Sequence, residues 1–168
     1  MSGRLKHWIP AICVAILISF FSTHYFSSQQ TAHLIIPLLR RLFPFATYRT
    51  LNRIHTLIRK LAHVTEFGVF SITVFHGLRG NRSGWRFDWA VYTLLIAVTY
   101  AGFDEWHQSF APLREAKVRD VVVDAAGALL AQVLVWTYAK WYRNHADAGE
   151  PQSDYGQAVV LPESRIKE

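Results

Sequence analysis

The stretch DEWHQSFAPLREAKVRDVVVDAAG, residues 104–127, decides how this sequence is to be interpreted. It follows the apolar run AVYTLLIAVTYAGF (90–103), and its last seven residues begin a second apolar run, VVVDAAGALLAQVLVWTY (121–138). On the surface of a soluble protein such charges cost little, but at the ends of two membrane spans they are expensive. The concentration of acidic, amide and basic residues at this place therefore needs a structural or functional reason.

Four apolar blocks approach the roughly 20 residues that a membrane-spanning helix needs. They lie at about Trp8–Phe26, Lys60–Leu78, Trp85–Phe103 and Val121–Trp141. The first block is nearly free of charge and follows basic residues, as in a signal peptide, but its end, FFSTHYF, offers no small-residue cleavage site. We therefore expect an uncleaved anchor. Trp and Tyr at the ends of the blocks favour a membrane protein over a soluble bundle with long buried helices.

The segment between the first two blocks predicts an additional helix. Pro37 and Pro44 interrupt it, and after Thr47 apolar residues recur at helical spacing while three arginines lie outside their stripe. This pattern predicts an amphipathic helix on the lipid headgroups. The glycine-rich connection HGLRGNRSGWRFD (76–88) predicts a turn. The expected fold is therefore all-α: an integral membrane protein with a four-helix transmembrane bundle and an interfacial helix between spans one and two.

Charge and composition limit the possible domain organisation and the possible binding partners. We expect one membrane domain, residues 1–145, and a disordered polar tail, 146–168. The net charge of +6 comes without a lysine-rich tract, which indicates membrane-flanking charge rather than nucleic-acid binding. Cys13 is the single cysteine, so no internal disulfide forms. Basic residues are equally numerous on the two sides, but the short connection RGNRSGWR weighs more and predicts cytoplasmic N and C termini.

Polar residues within the apolar blocks share helix faces. Lys60, His63 and Glu66 are spaced three residues apart. The direction of their side chains therefore changes only gradually around the helix, and all three share one broad face. In the fourth block Asp120 and Asp124 are followed on the same stripe by small residues, which let a neighbouring helix come close. An unpaired Asp124 in hydrocarbon is costly, so this side chain is expected to face the bundle.

In a four-span serpentine, the start of span two, the end of span three and the start of span four lie at the same side of the membrane. The sequence therefore predicts one polar pocket formed by Lys60, His63, Glu66, Asp104, Glu105, Gln108, Arg114, Asp120 and Asp124. Ionisable groups within a membrane are functional candidates by default. A purely structural ion-pair network is the alternative interpretation of the same residues.

Two motifs in this pocket resemble those of a known family. KLAHVTEF (60–67) fits K-x-x-H-x-x-E-F, and residues 104–127 fit D-E-x-x-Q-x-F-x-P-x-R-x-x-x-x-x-D-x-x-x-N-x-x-G, except that Asp124 stands where Asn is common. With four spans, the chain resembles the VanZ-like membrane proteins, named for a member associated with teicoplanin resistance in bacteria. The resemblance covers roughly residues 60–135 and, more loosely, the first span. It implies a multi-pass protein of the bacterial cytoplasmic membrane and supplies no mechanism.

The pocket residues divide into two chemical groups. Candidates for acid or base catalysis are His63, Glu66, Asp104, Glu105 and Asp120. Candidates for binding are Lys60, Gln108, Arg114 and Asp124. A spacing of H-x-x-E without cysteine ligands is weak evidence for metal, so we expect neither a metal nor another cofactor. No Ser or Cys nucleophile motif and no glycine-rich phosphate loop occur in the sequence.

These residues favour recognition over transport or catalysis. We expect a protein that recognises an anionic envelope component through Lys60, Arg114 and His63, with membrane lipids, anionic lipids or lipid-linked envelope precursors as partners and no nucleic acid. The neighbouring carboxylates would hold the cations in place. The alternatives are a membrane-embedded acid/base enzyme acting on a lipid-linked precursor and the structural network. A proton-coupled transporter is disfavoured because four short spans leave little room for it.

Overall fold

The computed structural model describes residues 3, 5–23, 26–110 and 118–147, and every regular element in these residues is helical. A short 3₁₀-helix, Leu5–His7, precedes five α-helices. These are α1 (Ile9–Phe21), α2 (Ser28–Leu42), α3 (Tyr48–Arg79), α4 (Phe87–Gln108) and α5 (Val118–Asp147). The all-α fold predicted from the sequence is confirmed in these residues. Helix α5 includes the first two residues of the predicted tail, and residues 148–168 lie outside the described part of the chain.

The helix ends follow from local sequence. The Ser27 hydroxyl caps α2 by accepting a hydrogen bond from the Gln30 amide (3.4 Å), and Thr47 caps α3 through the Thr50 amide (3.3 Å). Such side-chain oxygens satisfy amides that have no partner within the helix. Helix α3 ends at Gly80, whose φ of 59° lies in the left-handed region that other residues avoid. The glycine-rich connection therefore turns the chain, as predicted.

Helix α3 differs from the sequence prediction. A separate surface helix was expected after Thr47, followed by a second span from about Lys60, but the two form one continuous helix of 32 residues. The physical reason is that no proline or mid-segment glycine interrupts residues 48–67, so the helix propagates from its Thr47 cap. The amphipathic helix between the first and second blocks is instead α2, which continues through Pro37 and ends before Pro44.

The surface of the bundle is apolar and part of its interior is polar. Large hydrophobic side chains are exposed along α1, α3, α4 and α5, for example Ile16, Leu61, Leu95 and Leu134. The buried residues include polar and charged ones: Ser22, Ser27, His55, Ser71, Thr93, Asp104, Glu105, Gln108, Asp124 and Gln132. Exposed apolar patches of this extent are rare in soluble proteins.

Within the described residues, two helices are long and apolar enough to cross a membrane, α3 (Tyr48–Arg79) and α5 (over Val118–Ala146). Helix α1 is apolar, but its 13 residues span only about 20 Å at 1.5 Å per residue. Helix α4 has 22 residues, and its tyrosines, tryptophans and acidic residues reduce its mean hydropathy. The structure thus provides two candidate spans where the sequence analysis expected four, and the two additional spans stay a prediction.

The order of the helices defines two ends of the bundle. Trp8, before α1, packs against Gly77 near the end of α3, and Trp89 at the start of α4 contacts Phe75 (6.1 Å between ring centroids). The opposite end joins the end of α1 to the end of α4, through Ser22 and Asp104, and the middle of α3 to the start of α5. We call these the turn end and the site end. Between them lies a core around Phe67, Phe70, Val74, Ala97, Ala101 and Ala128.

Candidate functional site

A cavity of about 250 Å³ opens at the site end of the bundle. Four helices form it together with the connection after α1. Its apolar lining consists of Phe21, Phe26, Ile35, Ile58 and Ala62, and its polar lining of Ser22, Thr31, Arg59, His63, Glu66 and Gln108. The lining of the cavity therefore combines aromatic and aliphatic side chains with ionisable and amide groups. We call it the site cavity.

His63 is held in place by an acidic residue of the neighbouring helix. Its Nδ1 lies 3.1 Å from Asp124 Oδ1, which links α3 to α5. The Asp124 side chain is 3% exposed, whereas that of His63 is 22% exposed. A carboxylate that accepts a hydrogen bond from Nδ1 fixes the orientation of the ring and leaves the other nitrogen available. His63 Nε2 is therefore the atom that can meet a ligand or exchange a proton.

Gln108 is held in the same way by Asp104. Asp104 Oδ2 accepts hydrogen bonds from Gln108 Nε2 (2.6 Å) and from the Ser22 hydroxyl (2.7 Å), and Gln108 Nε2 also donates to that hydroxyl (3.1 Å). All three residues are buried, and together they join the end of α1 to the end of α4. Because the Gln108 amide nitrogen is engaged with these partners, its carbonyl oxygen is the group left to accept a hydrogen bond from a ligand.

Arg59 is the cation of the site cavity. It lies one helical turn before His63 and is partly buried, and the Asp120 carboxylate of α5 attracts its guanidinium. Glu66 lies one turn after His63 and adds a carboxyl group that interacts electrostatically with His63, Asp104 and Asp124. The cavity wall thus carries a basic, an imidazole and an acidic group along one face of α3.

The meeting of His63 and Asp124 depends on a close approach of two helices. A Cβ atom added to Gly127 would lie 2.8 Å from Val64 Cα and closer still to the Val64 carbonyl oxygen, so only glycine fits there. Further along, the Ser71 hydroxyl donates to the Ala128 carbonyl (3.1 Å) and accepts from Gln132 Nε2 (2.8 Å). Small residues and interhelical hydrogen bonds of this kind hold helices together within membranes.

The residues predicted from the sequence lie at different distances from this cavity. His63, Glu66 and Gln108 line it, while Asp104 and Asp124 lie directly behind, bonded to lining residues. Glu105 is buried at the same end, and Asp120 interacts with Arg59. Lys60 is partly exposed and lies outside the lining. Arg114, like the rest of residues 111–117, lies outside the described part of the chain.

Three polar lining residues were not predicted from the sequence: Ser22, Thr31 and Arg59. Arg59 was counted among basic residues that flank the membrane, although its position four residues before His63 places both on the same helix face. That spacing was the signal that could have identified it. Ser22 gave no such signal, since its partner Asp104 is 82 residues away. Among the described residues, no three His, Cys, Asp or Glu side chains are grouped as a metal site requires.

Comparison with known proteins identifies the family. A sequence model described as VanZ/LLP1 matches residues 7–139, which include α1 to α4 and most of α5 and make up more than three quarters of the chain. No curated protein matches significantly. No solved structure matches significantly either. The match includes each residue placed in or directly behind the site cavity, and the chain belongs to the VanZ/LLP1 family.

Proposed function

We propose that this VanZ-like protein resides in the bacterial cytoplasmic membrane and recognises an anionic, lipid-type envelope component through the site cavity. The observation that carries the proposal is the lining of the cavity, which combines aromatic and aliphatic side chains with Arg59 and other polar groups. Such a cavity suits a molecule with an anionic head and an apolar chain, that is, an anionic lipid or a lipid-linked envelope precursor.

Membrane location is supported by the apolar surface of the bundle and its polar interior. Two helices have the length and composition of membrane spans, and α1 and α4 pack against them with exposed apolar faces. The turn end carries Arg79, Arg82 and Arg86 in a short connection, with Lys140 and Arg143 on α5 beside it. By the positive-inside rule this end faces the cytoplasm, so both termini are cytoplasmic and the site cavity lies at the outer face.

The polar residues of the lining offer groups that are complementary to such a ligand. The Arg59 guanidinium can pair with a phosphate or carboxylate in two-pronged geometry, and His63 Nε2 adds a donor when the ring is protonated. The Glu66 carboxylate and the Gln108 carbonyl accept hydrogen bonds, which suits the hydroxyl or amino groups of an envelope headgroup. Asp104 and Asp124 do not line the cavity, but their hydrogen bonds hold Gln108 and His63 in position.

The size of the cavity limits what it can enclose. Its volume of about 250 Å³ is slightly below the roughly 300–1,000 Å³ of most small-molecule sites. It therefore holds a headgroup or part of one, while Phe21, Phe26 and Ile35 guide the apolar part of the ligand. The rest of an acyl or prenyl chain would remain in the surrounding lipid.

A membrane-embedded acid/base enzyme acting on the same class of ligand is the second candidate, and the His63–Asp124 pair favours it. An imidazole oriented by a buried carboxylate is the arrangement of a general base, and Glu66 is near enough to serve as its acidic counterpart. Replacing His63 by Gln distinguishes the two functions. An enzyme loses turnover of a lipid-linked precursor while its affinity changes little, whereas a recognition protein loses affinity and has no turnover to lose.

The test of the recognition function is a binding measurement with matched arginine variants. Purified protein in neutral detergent is titrated with an anionic lipid and with a lipid-linked envelope precursor, as wild type, Arg59→Gln and Arg53→Gln. Arg53 lies on the same helix, is exposed and is outside the cavity lining, so its replacement removes the same charge elsewhere. We expect roughly tenfold weaker binding for Arg59→Gln, since hydrogen bonds to charged groups contribute about 1.5–3 kcal/mol.

Equal affinities of folded Arg59→Gln and Arg53→Gln would contradict the proposal. Thermal unfolding of each variant supplies the control for folding. A purely structural network predicts instead that Arg59→Gln lowers the unfolding temperature and the amount of protein in the membrane, with unchanged affinity in the fraction that folds. Glycopeptide susceptibility of cells that express equal amounts of each variant then tests the link to teicoplanin resistance that family membership suggests.

A further inference from the structure

A second cavity lies at the turn end, where the α3–α4 connection meets the C-terminal part of α5. Its volume is about 790 Å³, within the range of small-molecule sites. It shares none of its lining residues with the site cavity. We call it the turn cavity.

The turn cavity is basic. Arg79, Arg82, Lys140 and Arg143 line it, and none of its described lining residues is acidic. Four positive charges that face one space repel each other unless an anion lies between them. The composition of the lining therefore selects for a negatively charged occupant.

Two residues that line this cavity carry a buried donor without an acceptor in the described part of the chain. Arg79 Nε and Trp85 Nε1 are inaccessible to solvent and form no hydrogen bond within the described part of the chain. A buried donor without a partner is costly, and native structures rarely leave one. Both donors belong to residues that line the turn cavity, and an acceptor bound there can satisfy them once the side chains rotate to expose them.

The neighbouring arginines are already engaged. Arg82 donates to the Leu78 carbonyl (2.8 Å) and the Arg79 carbonyl (3.1 Å), which caps the end of α3. Arg86, outside the lining, donates from Nε to Asp88 Oδ1 (2.9 Å) and from Nη2 to Asp88 Oδ2 (3.0 Å). The cations left for a ligand are therefore Arg79, Lys140 and Arg143.

Aromatic residues indicate the depth of the cavity in a bilayer. Trp85, Trp136, Tyr138 and Tyr142 line it, and the Lys140 ammonium lies 5.5 Å from the centre of the Trp136 ring. Trp and Tyr concentrate at the level of lipid headgroups, where their polar groups meet water and their rings meet the acyl chains. Phe75 and Val135 form an apolar part of the lining on the side of the bundle core.

From these observations we propose that the turn cavity binds the phosphate-bearing headgroup of an anionic glycerophospholipid. Arg79, Lys140 and Arg143 surround the phosphate. The acyl chains leave the cavity along Val135 and Trp136. This site lies at the opposite end of the bundle from the site cavity, and it does not depend on the function proposed for that cavity.

The experiment compares single-charge variants in neutral detergent, where no charged membrane surface attracts lipid nonspecifically. Native mass spectrometry follows the titration of full-length protein with short-chain phosphatidylglycerol, using wild type, Arg79→Gln, Arg143→Gln and Lys6→Gln. Lys6 lies at the same end of the bundle, is exposed and is outside the turn cavity. We expect about tenfold weaker binding for Arg79→Gln and Arg143→Gln, and a change of less than about twofold for Lys6→Gln, because that side chain is outside the site.

Further arms identify the source of the phosphate and separate the two cavities. Inorganic phosphate should bind much more weakly than phosphatidylglycerol, since it lacks the apolar part. Arg59→Gln should leave binding at the turn cavity unchanged, whether or not the site cavity binds the same lipid. The proposal is overturned if Arg79→Gln and Arg143→Gln bind phosphatidylglycerol like Lys6→Gln while unfolding at the wild-type temperature. It is also overturned if phosphatidylcholine competes equally well.

Discussion

Replacement of Gly127 by alanine should separate α3 from α5 and disrupt the site end. The added Cβ would lie 2.8 Å from Val64 Cα, and normal carbon–carbon and carbon–oxygen contacts are about 3.3–4.0 Å. The atom it meets belongs to backbone and cannot rotate away, so the helices must move apart by roughly 0.5–1 Å. The His63–Asp124 distance of 3.1 Å would then approach about 4 Å, beyond hydrogen-bonding range.

The size of the effect follows from overpacking. Inserting a methyl group into a close helix contact costs about 1–3 kcal/mol, and the weakened His63–Asp124 pair adds to this. For a domain of this length, each kcal/mol corresponds to roughly 2–4 °C. Thermal unfolding in detergent should therefore show Gly127→Ala about 3–10 °C below wild type.

Two other glycines provide matched controls. A Cβ at Gly68, on the facing helix, would make ordinary contacts of 3.5 Å with the Gly127 carbonyl and 3.9 Å with Ala131 Cβ, and one at Gly102 would meet nothing within 4 Å. Alanine is favoured over glycine within helices by about 1 kcal/mol, so both variants should be as stable as wild type or slightly more stable. If Gly127→Ala unfolds at the same temperature as Gly68→Ala, the contact between α3 and α5 does not require glycine at position 127, and the prediction is wrong.

Three further outcomes are expected. In a double-mutant cycle of His63→Gln and Asp124→Asn, the free energies of unfolding should be coupled by about 1–3 kcal/mol, and additive losses would show that the pair is not formed. Asp104→Leu should destabilise by about 1–3 kcal/mol because it removes the carboxylate that accepts from the Ser22 hydroxyl and from the Gln108 amide, whereas Asp104→Asn retains an acceptor and should cost less; equal losses would rule out this hydrogen-bond role. Reporter fusions in the connection 80–86 and at the C terminus should both report the cytoplasm, and two outer-side signals would reverse the orientation.

Much of the site was predictable because it depends on the order of the helices. His63 and Glu66 were placed beside Asp104 and Asp124 from the alternation of apolar blocks alone, and the lining of the site cavity and the contacts behind it bring these four residues together. A chain that reverses direction at each block must bring these segments to the same end. This part of the arrangement depends on connectivity and not on the details of packing.

Other features depend on geometry that the apolar pattern does not contain. The pattern alone did not indicate that the helix beginning at Tyr48 would continue without a break into the second block. Arg59 was passed over in favour of Lys60 because the motif includes Lys60, although a shift of one residue turns a side chain by about 100° around the helix. The contact between Ser22 and Asp104 joins distant parts of the sequence and follows only from the packing of α1 against α4.

The unbroken length of α3 determines the depth at which a ligand would meet the protein. At 1.5 Å per residue its 32 residues measure about 48 Å, whereas the hydrocarbon layer is about 30 Å thick. If Arg79 is at the inner boundary, the outer boundary falls near Arg59, and the first eleven residues of α3 project into the aqueous phase with α2 packed against them. The Thr31–His55 hydrogen bond (3.2 Å) joins these two projecting helices. A molecule confined to the outer leaflet could then reach Arg59 by lateral diffusion, without leaving the bilayer.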